Sequence, residues 1–326
     1  MKPPRFWSNS PRRPGLAAIA LTPLSWIYAM MGRIRRARAT PLRPRAPVIC
    51  VGNIVAGGAG KTPTALAIAE RAKARGRAPH FLSRGYGGKI KGPHPVDPGK
   101  DTSEEVGDEP LLLAAHHPTW VGKDRKATAA AAVQAGADLL IMDDGFQNPD
   151  IEQDLAFVVI DAAFGHGNGR VIPAGPLREP IMSAFGRADA AILIGNGNPF
   201  VPRGVPVLRA RLTPRFTGMS FAGLRVVAFA GIGRPEKFFD TLRAMGAQVV
   251  DAVPFPDHHK FSSAILTRLE QRAYANDATL VTTEKDAVRL PTWFRGRAVT
   301  VPVTLGFEDP EELDLMLDTL LRPTRR

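Results

Sequence analysis

Residues 48–62, VICVGNIVAGGAGKT, constrain this chain more than any other stretch. A short apolar run passes into a glycine-rich turn, and residues 64–75 then carry a helical pattern closed by Gly76. A strand, a glycine loop and a helix start in that order form an anion cradle. Gly57, Gly58 and Gly60 let the backbone approach phosphate oxygens, and the helix N-terminus adds partial positive charge. Lys61 then reaches the β- and γ-phosphates, and the Thr62 hydroxyl ligates Mg²⁺. Val55, Ala56, Gly57, Gly58, Ala59, Gly60, Lys61 and Thr62 are thus the expected nucleotide-binding positions of a P-loop. The match departs from G-x-x-x-x-G-K-T at one place, where Val55 replaces the first glycine.

Around this loop, short apolar runs alternate with helical patterns. Residues 48–51, 80–83, 139–142, 157–160 and 190–194 read as buried strands, and 123–135 as a second helix. Such alternation predicts a parallel α/β sheet. A Gly- and Pro-rich break covers 196–219. Beyond it, strands at 225–230, 248–252, 279–282 and 298–303 and helices at 235–245 and 310–321 predict a second, smaller α/β domain. The expected organisation is an N-terminal segment 1–45, a P-loop domain 46–210 and a smaller domain 211–326 closing a cleft.

Leu139-Leu-Ile-Met-Asp143-Asp144 is an apolar strand ending in paired acids, as a Walker B element does. Side chains alternate along a strand, so one acid serves Mg²⁺ while the other buttresses the loop or meets substrate. Asp108 and Glu109 precede the helical pattern at 111–115. They read either as helix caps or as a base or metal contact at the crevice. His258 and His259 are a poor metal pair alone, but His258 beside Asp108 across the cleft would make a base and its orienter. Arg84 and Tyr86 in one glycine loop, and Arg178 and Glu179 in another, are candidate substrate contacts.

The formal charge of +12 would suggest a nucleic acid if it were spread over the chain. It is not. Eleven of the 43 basic residues precede the first acid, Glu70, leaving 32 bases against 31 acids in the rest. A single cysteine excludes a disulfide scaffold. The N-terminal cations flank residues 16–32, LAAIALTPLSWIYAMMG, an uncharged stretch of roughly 26 Å as a helix, short of a hydrocarbon core. With Trp26 and Tyr28 followed by Arg33, Arg35, Arg36 and Arg38, it reads first as a helix lying in an anionic membrane interface, with a membrane span, a cleaved signal peptide and an ordinary buried helix as the alternatives.

VGNIVAGGAGKTPT, FLSRGYGG, GDEP, DDGFQ, PAGPLREP, FPDHHKF and TTEKDAVRL occur here in the order seen in the tetraacyldisaccharide 4′-kinases, which the chain resembles from about residue 48 to 290. The resemblance implies transfer of the ATP γ-phosphate, with Mg²⁺, to the 4′-hydroxyl of an acylated disaccharide 1-phosphate. It places the protein at the cytoplasmic face of the bacterial inner membrane, peripheral or monotopic. The expected state is a monomer, and the nearly neutral body with 7% aromatics argues against a nucleic-acid partner. It maps the catalytic base to Asp108, its helper to His258 with His259 as the fallback, and the Mg²⁺-site acid to Asp144 with Asp143 beside it. Lys61 and Thr62 map directly. The rival readings are a membrane-associated nucleotide switch of the signal-recognition and targeting class, which the loop also resembles but which would carry a signature lysine where Ala56 stands and have no need of Asp108, and a nucleic-acid ATPase.

Overall fold

A computed structural model describes residues 3–215 and 218–322; Lys2 and the last four residues of the expected 211–326 unit lie outside them. After a turn of 3-10 helix at Arg5–Ser8 come helices α1 (Leu16–Ala20) and α2 (Thr22–Arg38). The chain continues through β1 (Val48–Gly52), α3 (Lys61–Lys73), β2 (Pro79–Ser83), β3 (His94–Pro95), α4 (Ser103–Val106) and α5 (Asp108–Ala114). Next are β4 (Thr119–Val121), α6 (Arg125–Gln134), β5 (Leu139–Asp143), β6 (Leu155–Asp161), α7 (Ile181–Phe185), β7 (Ala190–Ile194) and β8 (Val207–Pro214). Then follow β9 (Arg225–Ala230), α8 (Pro235–Ala244), β10 (Gln248–Pro254), α9 (Ser263–Ala275), β11 (Thr279–Thr283) and α10 (Glu284–Ala287). Last are α11 (Thr292–Arg295), β12 (Val299–Val301), β13 (Val303–Phe307) and α12 (Glu311–Leu321).

Nine strands form one sheet in the order β13-β8-β7-β6-β1-β5-β2-β4-β3, parallel except for β3 and β13 at its edges. β1, β2, β5 and β7 are buried along their whole length, which is why they read as unbroken apolar runs. Helices α3 and α12 bury Ala65, Ile68, Leu313 and Leu317 against one face, and α6 and α7 bury Ala129, Ala132 and Phe185 against the other. β1 lies between β5 and β6, and the sheet continues outward from them in opposite directions. A crevice therefore opens at the carboxyl ends of these strands, where such folds bind ligands.

A second, four-stranded parallel sheet, β10-β9-β11-β12, carries α8 on one face and α9 on the other. The boundary expected at 210 needs correction, because that residue lies inside β8, a strand of the large sheet. The final segment also leaves the small sheet. β13 pairs antiparallel with β8, and α12 clamps onto α3 through Arg71–Asp314 at 2.8 Å and onto the turn after α3 through Arg75–Asp318 at 2.6 Å. The smaller unit is thus inserted between β8 and β13, and the strand expected at 298–303 is two strands broken at Pro302.

The apolar N-terminal stretch is broken into α1 and α2, with Pro23 in the first turn of α2, where its missing N–H removes no helical bond. Among the described residues no helix is long and apolar enough to cross a membrane.

Candidate active site

The phosphate loop leaves β1 at Gly52 and turns into α3 at Gly60, whose φ of +88° and contact with the Ile194 side chain leave no room for a Cβ. At Gly57 and Gly58 the situation is opposite. A Cβ there would meet no protein atom, so the space beside them is open. The outer side of the loop is held from outside: the Ala56 N–H donates to the Pro176 carbonyl at 2.8 Å, and Val55 pairs with Leu177.

β5 lies beside β1 in a register that sets Asp143 opposite Val51, and so beside the loop. The Thr62 hydroxyl donates to Asp143 Oδ2 at 2.9 Å, while the other oxygen, Oδ1, is buried without a partner. Burial pushes the Asp143 carboxyl up to about 7, against the pull of the Lys61 ammonium. A buried carboxylate oxygen lacking a donor, next to a threonine hydroxyl, fits a hard divalent cation. Asp144, with φ of +58°, turns away from this pair. It meets Arg178 at 2.7 Å and Lys61 at 3.6 Å. Burial would raise its pKa, but those two cations hold it below the usual carboxylate range. Asp143 is thus the acid beside the Thr62 hydroxyl, while Asp144, expected as the Mg²⁺-site acid, is turned toward Lys61 and Arg178.

Asp108 opens α5 after Gly107, whose positive φ and approach to the Tyr86 carbonyl fit the 84–88 loop closely beneath it. The capping alternative does not describe this carboxylate. Its Oδ2 accepts from Arg289 Nε at 2.7 Å and meets His258 Nδ1 at 2.7 Å, both from the smaller unit. Burial acts to raise the Asp108 pKa, but the His258 bond and the Arg289 charge outweigh it and hold the group ionised below the usual range. Nδ1 of His258 donates to Asp108 in this arrangement, leaving Nε2 as the acceptor near Lys285 Nζ at 3.4 Å. His259 is excluded from this role, because its ring stacks on Phe255 at 4.7 Å. Asp108, Glu109 and His258 also lie close enough together to hold a cation, but Lys285 and Arg289 already neutralise the two carboxylates.

Arg84 and Tyr86 stand exposed on their loop. Arg178 faces the phosphate loop, bonded to Asp144 and Gln147. Glu179 is not a substrate contact. It is 2 % exposed and its carboxylate is filled by Arg187, Gln147 and Arg36. Sequence reasoning missed Arg289 and Lys285, although both lie in the TTEKDAVRL stretch, and it missed Arg125. That guanidinium is 3 % exposed, and its Nη1 has no partner. Burial, followed by repulsion from Arg84, lowers its pKa to about 10.

A phosphate loop at a sheet switch point, an acid pair beside it and an ionised carboxylate clamped across a cleft define a P-loop phosphotransferase. The chain belongs to the tetraacyldisaccharide-1-P 4′-kinase family, whose sequence model matches residues 17–322. It is 52% identical over 328 residues to the tetraacyldisaccharide 4′-kinase of Rhodospirillum centenum, covering 98% of this chain and 97% of that one. The corresponding enzyme of Dinoroseobacter shibae is 52% identical over 338 residues, covering all of both chains. The crystal structure of LpxK from Aquifex aeolicus in complex with ATP superposes with a TM-score of 0.76 at 26% identity, over 94% of this chain and 99% of that one.

Proposed function

We propose that this protein phosphorylates the 4′-hydroxyl of a tetraacyldisaccharide 1-phosphate from ATP, acting as a monomer on an anionic membrane surface at the cytoplasmic face of the bacterial inner membrane. The observation that carries the chemistry is the Asp108 carboxylate, fixed by His258 and Arg289 on one oxygen and leaving the other for a substrate hydroxyl. A nucleotide switch has no use for such a pair.

Phosphoryl transfer passes through a loose transition state, so positioning and charge neutralisation matter more than a strong base. A carboxylate held below the usual pKa range suits this, since it is ionised at neutral pH and orients the hydroxyl before accepting its proton late. Thr62 and Asp143 would hold Mg²⁺, which supplies charge neutralisation on the phosphates. Lys61 adds a cation at the mouth of α3, and Arg178 another beside the loop. Because Asp108 and His258 come from different units, the base is complete only when the cleft is closed, which excludes water and limits hydrolysis.

The membrane surface is argued from α1 and α2. Leu16, Ile19, Leu24, Trp26, Ile27, Met30 and Met31 are all exposed there, with Arg33, Arg35 and Arg38 exposed beyond them. The test is incubation with labelled ATP, Mg²⁺ and the acylated disaccharide 1-phosphate, followed by chromatography of the lipid. Asp108→Asn should lower lipid phosphorylation on the order of 10²–10⁴-fold, the usual range for a general base, while ATP affinity persists. Unlabelled lipid with the native protein, or full turnover by the variant, overturns the reading.

A further inference from the structure

The membrane-facing helices and the nucleotide loop are far apart in sequence, yet one strap, residues 167–179, is bonded to both. On its outer side, Asn168 donates to the Phe6 carbonyl at 3.1 Å and Trp7 Nε1 donates to the Pro173 carbonyl at 3.1 Å. Arg170 donates to the Thr22 hydroxyl at 2.7 Å. Ser25 is the centre of this contact: its hydroxyl donates to the Val171 carbonyl at 2.7 Å, more closely than to the Leu21 carbonyl of its own helix at 3.3 Å, and accepts from the Ala174 N–H at 3.1 Å. It is a buried hydroxyl on a helix whose neighbouring side chains are apolar and exposed, and its shortest donor bond and its acceptor bond both go to the strap.

On its inner side, the strap reaches the site. Pro176 accepts from Ala56, the Arg178 N–H donates to the Ile54 carbonyl at 2.7 Å, and the Arg178 guanidinium holds Asp144. Between the two sides the strap is bonded to itself, by Ile172 N–H to Leu177 O at 2.8 Å, Leu177 N–H to Arg170 O at 3.0 Å and Asn168 Nδ2 to Ala174 O at 2.8 Å. A segment tied this closely to itself shifts as one body. A change in the seat of α2 is thus passed to the backbone of the phosphate loop and to Arg178.

We propose that Ser25 is a positioning residue for the nucleotide site, so that docking α1 and α2 on a bilayer and binding ATP favour each other through this strap. The inference rests on the membrane reading above. Linkage then requires that each ligand tighten the other by the same factor, about fivefold or more for a coupling of ordinary size.

The experiment uses the full-length protein, a non-hydrolysable ATP analogue with Mg²⁺, and phosphatidylglycerol–phosphatidylcholine vesicles. Analogue affinity is measured with and without vesicles, and vesicle co-sedimentation with and without analogue. The native protein should show equal gains in both directions. Ser25→Ala should still sediment with vesicles and bind the analogue as in solution, but with both gains lost. Arg170→Met, which cuts a neighbouring bond and lies outside the site, should reduce both gains and carries the test if the first variant does not fold. Sedimentation without any change in analogue affinity overturns the coupling and leaves the membrane reading intact. Full coupling in both variants removes Ser25 and the strap from it. No sedimentation of the native protein overturns both readings.

Discussion

Asp143 shows what enclosure does to a carboxyl beside the phosphate loop. Its pKa is pushed to about 7 by burial, from an ordinary 3.8. Between those values the folded protein holds a proton that the unfolded chain has released. Metal-free protein therefore loses stability as pH rises from about 4 to about 7, and changes little from this group above that. Asp143→Asn removes this cost while keeping the shape of the side chain. In the presence of a chelator the variant should melt above the native protein at pH 8 and close to it at pH 5. Added Mg²⁺ must displace the proton, so it should stabilise the native protein more at pH 8 than at pH 5 and have little effect on the variant. Parallel melting curves at the two pH values would remove Asp143 from the metal site.

The phosphate loop separates two uses of glycine within three residues. Gly58 faces open space, so Gly58→Ala should leave stability within about 0.5 kcal/mol of the native value, as surface changes do, while ATP affinity falls at least tenfold because the methyl enters the nucleotide's space. Gly60→Ala should unfold at lower denaturant, since its positive φ and the Ile194 contact are internal to the fold. Equal ATP affinity in Gly58→Ala would show that nothing binds against that backbone. The loop and the DDGFQ acids were legible because each is a contiguous motif on a strand buried on both faces. β8 and β13 were not. They are an antiparallel pair near the sheet edge with exposed Arg211, and their partner strands lie about ninety residues apart in the chain. The Arg289–Asp108 bond is equally non-local, joining residues separated by 181 positions, so no local pattern announces it. Glu179 looked like a loop acid free to meet substrate. Its burial is decided by Arg36 and Arg187, and the first of these comes from α2.

At the scale of the whole molecule, α1 and α2 carry exposed apolar side chains and exposed arginines on the same short segment. Of the four arginines that close α2, Arg33, Arg35 and Arg38 face solvent, whereas Arg36 turns inward to Glu179 at 3.3 Å. Trp26 is 70% exposed, and Met182 of α7 adds a further apolar side chain at 65% beside Ser183, which Arg36 touches. A patch of this kind on a nearly neutral body is stable in water only at a cost that an interface removes. The three outward arginines and the inward one then have separable roles. Replacing Arg33, Arg35 and Arg38 together by Gln should weaken partition onto anionic vesicles by about 3 kcal/mol, at about 1 kcal/mol per cation near the surface. The difference from the native protein should shrink as salt screens it, and phosphorylation of substrate dispersed in neutral detergent should be unchanged. Arg36→Gln should do the reverse, lowering the melting temperature by removing one of the two arginines that neutralise the buried Glu179, while costing less in vesicle binding than the triple variant. If Arg36→Gln alone released the protein from vesicles as fully as the triple variant, the charge at the end of α2 would be serving the fold rather than the membrane.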